Sequence, residues 1–443
     1  MTQGPYESPY VRFLPERCIG CADCLKACPT RAIRIRSRKS LCLVDRCIGC
    51  GACIRVCGQG AIKAAVGSPE RIGDGHVAVA VVSPLLYAQF PNVMPKDVLL
   101  GLRRMGFNHT IDSSIFLEMY QCAAVEFIRR NRSDRIAPWP LISPVCPAVV
   151  RLIAFRFPRL LAHVIPVMRP AALMAREIRR SLVPLYALQG RPVVLYYINP
   201  CPTMAETREP APGSPPCREV ALGVNDVYPE LMRCIDAVLS DAEPFPKTDF
   251  EYETCATGSA SLVAMSGGEI AGMRVEKSVA VPGLKETTEY LSKIEMGLFQ
   301  EMEYFELRTC PEGCLGGVLN AVDKYLAKGN VHRMMHLYGL GRRVPRHTIQ
   351  QMYARGEFRP DPSPLELGRL FADRKPALTL EQMARIERIL EQVGGYGCGA
   401  CGSPDCATFA EDVVRGQARL EDCLWFDNPQ PMECCGPKRP KGR

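Results

Sequence analysis

The sequence has no hydrophobic run long enough to cross a membrane. Its most apolar stretch, Val77 to Phe90, is broken by Ser83-Pro84, whereas a membrane-spanning helix needs about 20 apolar residues. The first residues, Met1 to Ser8, have no apolar core of the kind found in secretory signals. These absences predict a cytoplasmic protein with no membrane partner.

The signatures of nucleotide-binding proteins and of serine-nucleophile enzymes are also missing. We find no Rossmann or P-loop glycine pattern and no nucleophile elbow. The pair Gly316-Gly317 lies beside Cys314 and is interpreted as a point of close backbone access. His332 and His336 are four residues apart on a predicted helix, a spacing that can bind metal. No third ligand is evident nearby, so we interpret them as part of a packed helix face.

Cysteine, in contrast, is abundant, with 23 in 443 residues. In a cytoplasmic chain this number predicts metal sites rather than disulfides. The formal charge of +8 does not indicate nucleic-acid binding, because thiolate-bound clusters would add negative charge that this sum omits. The basic run from Pro437 to Arg443 is interpreted as a solvated end of the chain.

Eight of the cysteines form two copies of one pattern. Cys18-x2-Cys21-x2-Cys24-x3-Cys28-Pro29 is followed by Cys47-x2-Cys50-x2-Cys53-x3-Cys57. In the bacterial ferredoxin run of this spacing, the fourth cysteine of each copy binds the other [4Fe–4S] cluster. We therefore predict cluster one on Cys18, Cys21, Cys24 and Cys57, and cluster two on Cys47, Cys50, Cys53 and Cys28. The alternative is a pair of zinc knuckles, whose ligand pairs usually lie farther apart.

A third cysteine set follows near residue 400. The predicted helix Thr408–Leu420 would return its last member to the other three. The pattern resembles a small [4Fe–4S] module of anaerobic electron-transfer and corrinoid proteins, with zinc as the alternative. The predicted ligands of this C-terminal cluster are Cys398, Cys401, Cys406 and Cys423.

Strand and helix patterns alternate between these cysteine sets. Val77–Val82 and Pro192–Ile198 are apolar runs typical of buried parallel strands, and Tyr304–Leu307 is a shorter one. Predicted helices cover Pro95–Met105, Ser113–Ile128, Pro170–Leu188 and Lys285–Phe299. Several strands run into cysteines, and α/β sheets place their sites at such strand ends.

The fold class predicted from these patterns is α/β (α+β), with several domains. A ferredoxin-like 2[4Fe–4S] module covers residues 1–68, and an α/β body with parallel sheets covers 69–345. A helical connector covers 346–393, and a small helical iron–sulfur module with a tail covers 394–443.

Four further cysteines each stand beside proline or glycine, after apolar segments. They lie in Ile142-Ser-Pro-Val-Cys-Pro, Asn199-Pro-Cys-Pro-Thr-Met and Arg308-Thr-Cys-Pro-Glu-Gly-Cys-Leu-Gly-Gly. Thiolates are soft ligands that bind iron–sulfur clusters tightly. These four body cysteines therefore predict one more cubane site, on Cys146, Cys201, Cys310 and Cys314.

These segments resemble the catalytic domain of [FeFe]-hydrogenases, whose signatures are approximately TSCCPxW, MPCxxKxxE and ExMxCxxGCxxGGG. The likeness extends to Gly106-Phe-Asn-His-Thr-Ile-Asp112, Arg169-Pro-Ala-Ala-Leu-Met and Ser266-Gly-Gly-Glu. The resemblance implies that the body cysteines hold the cubane of an H-cluster. It also implies that Cys314 bridges this cubane to a diiron unit.

The sequence departs from the same signatures around that diiron unit. Val145 replaces a cysteine that hands protons to the metal, and Met204 replaces a lysine that binds a diiron cyanide. Because neither residue can transfer a proton or donate a hydrogen bond, no catalytic residue is assigned. Arg308 is the candidate to bind the anionic ligand in place of Met204. The other departures are Asn199, Thr207 beside Glu206, Ala123, Ala124 and Val318.

Such a domain between two cluster modules is similar to the sensory branch of the family. We expect an iron–sulfur redox protein that couples slow hydrogen and proton chemistry to electron transfer with a redox partner protein. The alternative is a non-catalytic electron-transfer or scaffold protein that keeps the cubane but lacks the diiron unit. Whether the chain is an enzyme depends on that choice. An iron–sulfur assembly factor is a weaker third option, because the intact cluster modules argue against it.

Seven cysteines stay outside these sets. Free cysteines are usually buried small hydrophobes, and this is predicted for Cys42, Cys122 and Cys234. Cys217 and Cys255 are predicted to lie in loops. For Cys434-Cys435, a reactive pair or an extra ligand is the less favoured alternative to ordinary free cysteines.

Overall fold

The structure is a computed structural model that describes residues 8–69, 72–204, 217–241, 258–339, 341, 343–360, 362–373 and 378–426. The chain divides into two compact units. The smaller unit consists of Met1–Cys47, Gly51–Ala65 and Leu370–Arg443, and the larger of Ile48–Cys50 and Val66–Arg369. The smaller unit therefore joins the two ends of the sequence.

The N-terminal part of the smaller unit repeats one motif, in keeping with its duplicated cysteine run. In each copy a five-residue helix carries the third cysteine and ends at the fourth, so that Cys28 and Cys57 follow the last helical residue. Two antiparallel strand pairs, first with fourth and second with third, enclose a small core. This is the predicted ferredoxin-like fold. The elements are β1 (Val11–Phe13), α1 (Asp23–Ala27), β2 (Ile33–Arg36), β3 (Lys39–Cys42), α2 (Ala52–Val56) and β4 (Ile62–Ala64).

The larger unit contains two parallel sheets. Its strands are β5 (Val77–Val82), β6 (His109–Asp112), β7 (Leu141–Ile142), β8 (Val193–Asn199), β9 (Cys217–Gly223), β10 (Ser278–Pro282) and β11 (Tyr304–Arg308). The four-stranded sheet has the order β6-β5-β8-β9, with Val77 opposite Val193. The three-stranded sheet has the order β10-β11-β7, with Tyr304 opposite both Ser278 and Leu141.

Helices cover the faces of these sheets. Val77, Val79 and Val81 of β5 pack into one core, and Ala78 and Ala80 into another. Because both faces are buried, the strand reads as an unbroken apolar run. The helices are α3 (Pro84–Tyr87), α4 (Pro95–Arg104), α5 (Ser114–Asp134), α6 (Pro147–Arg156), α7 (Pro170–Ala187), α8 (Val224–Asp241), α9 (Gly258–Leu262), α10 (Gly268–Met273), α11 (Leu284–Glu295), α12 (Lys324–Tyr338), α13 (Arg346–Ala354) and α14 (Pro364–Asp373).

The predicted α/β class and its buried parallel strands are confirmed, whereas some element ends differ. The helix predicted to stop at Ile128 continues to Asp134. The helix predicted to reach Phe299 ends at Glu295, because Gly297 adopts a φ of +83° that a helix does not contain. Cys217 was predicted in a loop, and this is wrong, since it is the buried first residue of β9.

The C-terminal part of the smaller unit has its own small core around α15 (Leu380–Gln392) and α16 (Cys406–Val414). The predicted helix Thr408–Leu420 was wrong at both ends. Helix α16 begins at Cys406, because the Asp405 side chain accepts a hydrogen bond from the Thr408 backbone N–H (2.8 Å). It ends at Val414, before Gly416 with a φ of +71°.

Among the described residues, no helix is both long and apolar enough to span a lipid bilayer.

Candidate metal centres

Three strands of the larger unit lead into the loops that carry the body cysteines. Strand β7 is followed by Cys146, β8 by Cys201, and β11 by Cys310 and then Cys314. All four cysteines line one cavity of about 130 Å³, here called the site cavity. Parallel strands thus deliver dispersed cysteines to one place through their carboxyl ends, as sheets of this type do.

Backbone contacts hold two of these loops together. The Leu319 N–H donates a hydrogen bond to the Pro200 carbonyl oxygen at 2.9 Å, which ties the Cys201 loop to the segment after Cys314. A Cβ at Gly317 would lie only 2.4 Å from the same oxygen. Glycine is therefore required for this approach, and the family-like Gly-Gly pair has a packing reason rather than a phosphate-binding one.

The body thiols suppress one another's ionisation. Burial raises the pKa of Cys201, and the nearby charges of Cys310, Cys314 and Cys146 raise it further. Burial also raises the pKa of Cys314, to about 12, although the charge of Arg308 opposes this. Four thiolates can coexist here only if a cationic group balances them. The site therefore fits an iron–sulfur core, which supplies that charge.

Arg308, the last residue of β11, is fully buried between two carboxylates. Its Nη2 donates a hydrogen bond to Glu269 Oε2 at 2.8 Å and lies 3.5 Å from Glu306 Oε1. Burial alone would lower the pKa of Arg308, but Glu306 and Glu269 raise it. Burial raises the pKa of Glu306 to about 7, against the effect of Arg308. The guanidinium therefore stays charged.

Hydroxyl groups complete the environment of Glu269. Its Oε1 accepts hydrogen bonds from Tyr120 (2.9 Å), Ser143 (3.0 Å) and Tyr304. The same Ser143 oxygen accepts a hydrogen bond from the Val145 backbone N–H at 3.2 Å. The network thus connects the partner of Arg308 to the loop that carries Cys146.

Two residues that line the site cavity have unpaired hydrogen-bond donors. Among the described residues, Arg308 Nε and Nη1 and Asn199 Nδ2 are buried and have no hydrogen-bond partner. Leaving a buried donor unsatisfied costs about 1–3 kcal/mol. These donors therefore suit a ligand in the cavity that accepts hydrogen bonds, preferably an anion, because Arg308 is charged.

The departures from the family signatures lie in different places. Val145 is half-buried and lines the site cavity. Ala123 and Ala124 are buried in the apolar core around α5. Met204 ends a short 3-10 helix, Pro202–Met204, but its side chain is outside the described part of the chain, as are Glu206 and Thr207.

The ferredoxin cysteines group as the crossed pattern predicts. Cys18, Cys21, Cys24 and Cys57 line one small cavity of about 20 Å³. Burial raises the pKa of Cys24 to about 12, and the charges of Cys18, Cys21 and Cys57 contribute. The structure therefore brings Cys57, rather than the fourth cysteine of the first copy, to the first three. Their roles as ligands stay predictions.

Cys28 lies with the second copy instead. Burial raises the pKa of Cys28, and the charge of Cys47 contributes. Cys42 is buried, as predicted. Its thiol also shares a hydrogen bond with that of Cys47, and it lies near Cys28 and Cys53. Spacing alone gave no sign of this neighbour of cluster two.

The C-terminal cysteines also come together. Burial raises the pKa of Cys401, and the charges of Cys423, Cys398 and Cys406 contribute. In the described ranges, no three cysteine, histidine or carboxylate side chains lie close enough to hold a single metal ion. A shared cavity, or the effect of the cysteines' charges on one another's pKa, therefore indicates that the members of each set lie close together.

The remaining candidates are peripheral. His332 and His336 lie on α12, as predicted, but both are exposed. Cys122 and Cys234 are buried, as predicted. Cys255, Cys434 and Cys435 lie outside the described residues.

Residues 76–273 match the C-terminal domain of the iron-only hydrogenase large subunit. Residues 10–58 match a 4Fe-4S dicluster domain, and residues 395–424 match a domain with a putative Fe-S cluster. Cys310 and Cys314 lie beyond the hydrogenase match, so their assignment depends on the third signature and the shared cavity.

Solved [FeFe]-hydrogenases are similar to this hydrogenase-like chain at low identity. HydA(deltaEFG) is 14% identical, with a TM-score of 0.42, over 65% of this chain and 91% of that one. A variant of HydA1 from Chlamydomonas reinhardtii is 15% identical, with a TM-score of 0.43, over 63% of this chain and 89% of that one. No curated protein matches the sequence significantly.

The sequence reasoning missed Glu269 and Glu306 as partners of Arg308. A signal was present, because Glu306 and Arg308 are two charged residues at alternate positions of an otherwise apolar strand. Alternate residues point to the same face of a strand, and charges on a buried face need partners.

Proposed function

We propose that this chain is a redox protein whose site cavity holds an H-cluster-type centre. The body cysteines would hold a [4Fe–4S] cubane, and Cys314 would bridge it to a diiron unit. When bound, such a unit supplies the binding and splitting of hydrogen. The hydrogen chemistry is slow and serves sensing or regulation, with electrons exchanged with a redox partner protein.

The unpaired donors of Arg308 carry this proposal. Arg308 lines the same cavity as Cys314, the predicted bridging cysteine, and among the described residues its Nε and Nη1 have no hydrogen-bond partner. Arg308 is held in place by Glu269, so its remaining donors have a fixed direction. They support the role that the missing lysine has in the family, which is to bind an anionic ligand of the diiron unit.

Slow chemistry follows from what surrounds the cavity. A positioned proton donor typically contributes about 10²–10⁴-fold to a rate. Val145 has no proton to donate, and Ala123 and Ala124 are apolar where the resemblance places glutamates. Protons would therefore have to reach the cavity without the family's relay.

Infrared spectroscopy tests the proposal directly. The full chain is prepared anaerobically with its cubanes, loaded with a synthetic diiron complex, and examined for carbonyl and cyanide bands. We expect bands that shift under hydrogen. In Arg308→Met the cyanide bands should shift or disappear, because the donors are lost, whereas Arg308→Lys should retain part of the effect.

The control is Arg132→Met, which removes an exposed arginine paired with Glu303 and should leave all bands unchanged. Unchanged bands in Arg308→Met, at unchanged iron content, would show that Arg308 has no contact with the diiron ligands. Absence of bands in the wild-type protein with complete cubanes would refute the diiron unit.

The second candidate is an electron-transfer or scaffold protein that holds the cubane without diiron. The apolar side chains at Val145, Ala123 and Ala124 favour it, because none of these positions serves proton transfer. In that case the cubane signals would persist without any carbonyl or cyanide band.

A further inference from the structure

Within the smaller unit, the C-terminal cysteine loop is fixed to the edge of β2. The Ile35 N–H donates a hydrogen bond to the Gly402 carbonyl oxygen at 2.8 Å. A Cβ at Gly402 would lie 2.0 Å from the Ile35 oxygen, and Gly402 has a φ of +76°. Only glycine fits this position without displacing the loop.

A buried ion pair lies next to this contact. Arg34 holds Asp412 with two hydrogen bonds, Nε to Oδ2 at 2.5 Å and Nη2 to Oδ1 at 2.8 Å. Both side chains are almost fully buried, at 2% and 1% exposure. Ser403 Oγ donates to the same carboxylate at 2.6 Å. Separating such a buried pair would leave an uncompensated buried charge, so the pair favours one arrangement of the two parts.

Further pairs place positive charge on the ferredoxin part and negative charge on the C-terminal part. Arg46 contacts Glu411 at 2.6 Å, and Arg31 contacts Asp405 at 2.8 Å. Arg36 Nη1 donates to the Gly402 carbonyl oxygen at 2.9 Å. This charge complementarity fixes the orientation in which the two parts meet.

The residues at this contact border both predicted cluster sites. Ile35 lines the cavity formed by the cysteines of cluster one, and its partner Gly402 follows Cys401 directly. A Cβ at Gly399 would lie 3.3 Å from Leu25 Cδ2, and Leu25 follows Cys24. Two separate contacts therefore place the loop of the C-terminal cysteines next to β2 and α1, the elements that border cluster one.

We infer that the C-terminal cluster exchanges electrons directly with cluster one, which extends the electron path of the ferredoxin part by one cluster. Ile35, Gly402 and the Arg34–Asp412 pair hold the two cysteine sets in this arrangement. Each transfer moves one electron, so that one cluster is oxidised by one unit as the other is reduced, and an external one-electron carrier supplies or removes it. The inference does not depend on a diiron unit.

Electron paramagnetic resonance of the fully reduced full chain tests this inference. Neighbouring reduced clusters alter each other's spin relaxation and split each other's signals. We expect the C-terminal signal to show this interaction in the wild-type protein. It should be lost in Cys21→Ser, which removes a ligand of cluster one, and should persist in Cys53→Ser, which removes a ligand of cluster two.

A second pair of variants tests the contact without touching a ligand. Gly402→Ala should weaken the interaction, because the new Cβ displaces the loop from Ile35. Gly395→Ala is the matched control, since Gly395 also has a positive φ (+69°) but has nothing within 4 Å of its Cβ position. Its spectrum should equal that of the wild type.

Three results would overturn the inference. The first is a wild-type spectrum in which the C-terminal signal shows no interaction. The second is an interaction that survives in Cys21→Ser, and the third is zinc instead of iron in the C-terminal site. Since the wild-type spectrum is decisive on its own, a variant that fails to fold does not leave the question open.

Discussion

Val145 stands at the position where the family signature has a proton-carrying cysteine, and it lines the site cavity. Val145→Cys should therefore raise the rate of hydrogen–deuterium exchange in diiron-loaded protein. We expect an increase of about 10²-fold, at the lower end of what a positioned proton donor contributes. Mass spectrometry of the evolved gas measures this rate.

Val149→Cys is the matched control, because Val149 is buried in α6 and does not line the cavity. Its rate should equal that of the wild type. An equal increase in both variants would mean that an added thiol acts nonspecifically. No increase in either would mean that something other than the missing thiol limits the rate.

Arg308 is also expected to support the stability of the larger unit. Arg308→Met leaves Glu269 buried without its cationic partner, so we expect a loss of about 3–5 kcal/mol in the free energy of unfolding. Denaturant titration under anaerobic conditions measures it. Arg132→Met, which breaks an exposed pair, should cost no more than about 1 kcal/mol. Equal losses in the two variants would contradict a special role for the buried pair.

At this scale the cysteines were predictable and their surroundings were not. Ligand spacing is local, so Cys18 to Cys57 could be grouped from the sequence. The position of Arg308 was predictable from a signature, but its contact with Glu269 depends on how α10 packs against β11. Spacing along the chain carries no information about such contacts.

Among the secondary-structure elements, long apolar runs were predicted best. Strands β5 and β8 are buried on both faces, and such strands consist of a continuous run of apolar residues that is recognisable in the sequence. Strand β6, His109–Asp112, contains three polar residues that the fold buries or half-buries, so it lacks that pattern. Helix α16 was misplaced because its start depends on the side chain of Asp405.

Helices α4 and α8 approach each other closely at Gly101. A Cβ there would lie 2.8 Å from Ile235 Cγ1 and 3.0 Å from Leu231 Cδ1. Gly101→Ala should therefore destabilise the larger unit by about 1–3 kcal/mol, as overpacked cores do, despite the higher helix propensity of alanine. Thermal unfolding measures the effect.

The matched control is Gly329→Ala in α12, where nothing lies within 4 Å of the new Cβ. There only helix propensity changes, so alanine should stabilise the protein by up to about 1 kcal/mol. The prediction fails if the two substitutions shift the melting temperature in the same direction.

Across the whole molecule, the least predictable feature is the smaller unit. Arg34 and Asp412 are 378 residues apart, and neither stands in a pattern that indicates burial. The sequence predicted two separate cluster modules at the two ends of the chain. What joins them is a set of side-chain and backbone contacts that exists only in the folded state.

The metal content of the whole chain distinguishes four cubanes, four cubanes with a diiron unit, and three cubanes with zinc in the C-terminal site. Four cubanes predict about 16 irons per chain, with about two more if the diiron unit is loaded. Zinc in the C-terminal site would reduce this to about 12 irons and one zinc. Elemental analysis of anaerobically prepared protein gives the count, and Cys406→Ser should lower the iron content by about four.

The discontinuous unit also has a consequence for biosynthesis. A ribosome adding about 5–20 residues per second needs about 20–75 s to make the 378 residues between Arg34 and Asp412. Until then, the charged edge of the nascent ferredoxin segment lacks its partners in the C-terminal part. The region around cluster one also lacks its contacts with that part. Insertion of iron into cluster one before translation ends would therefore occur at a site that still lacks its contacts with the C-terminal part.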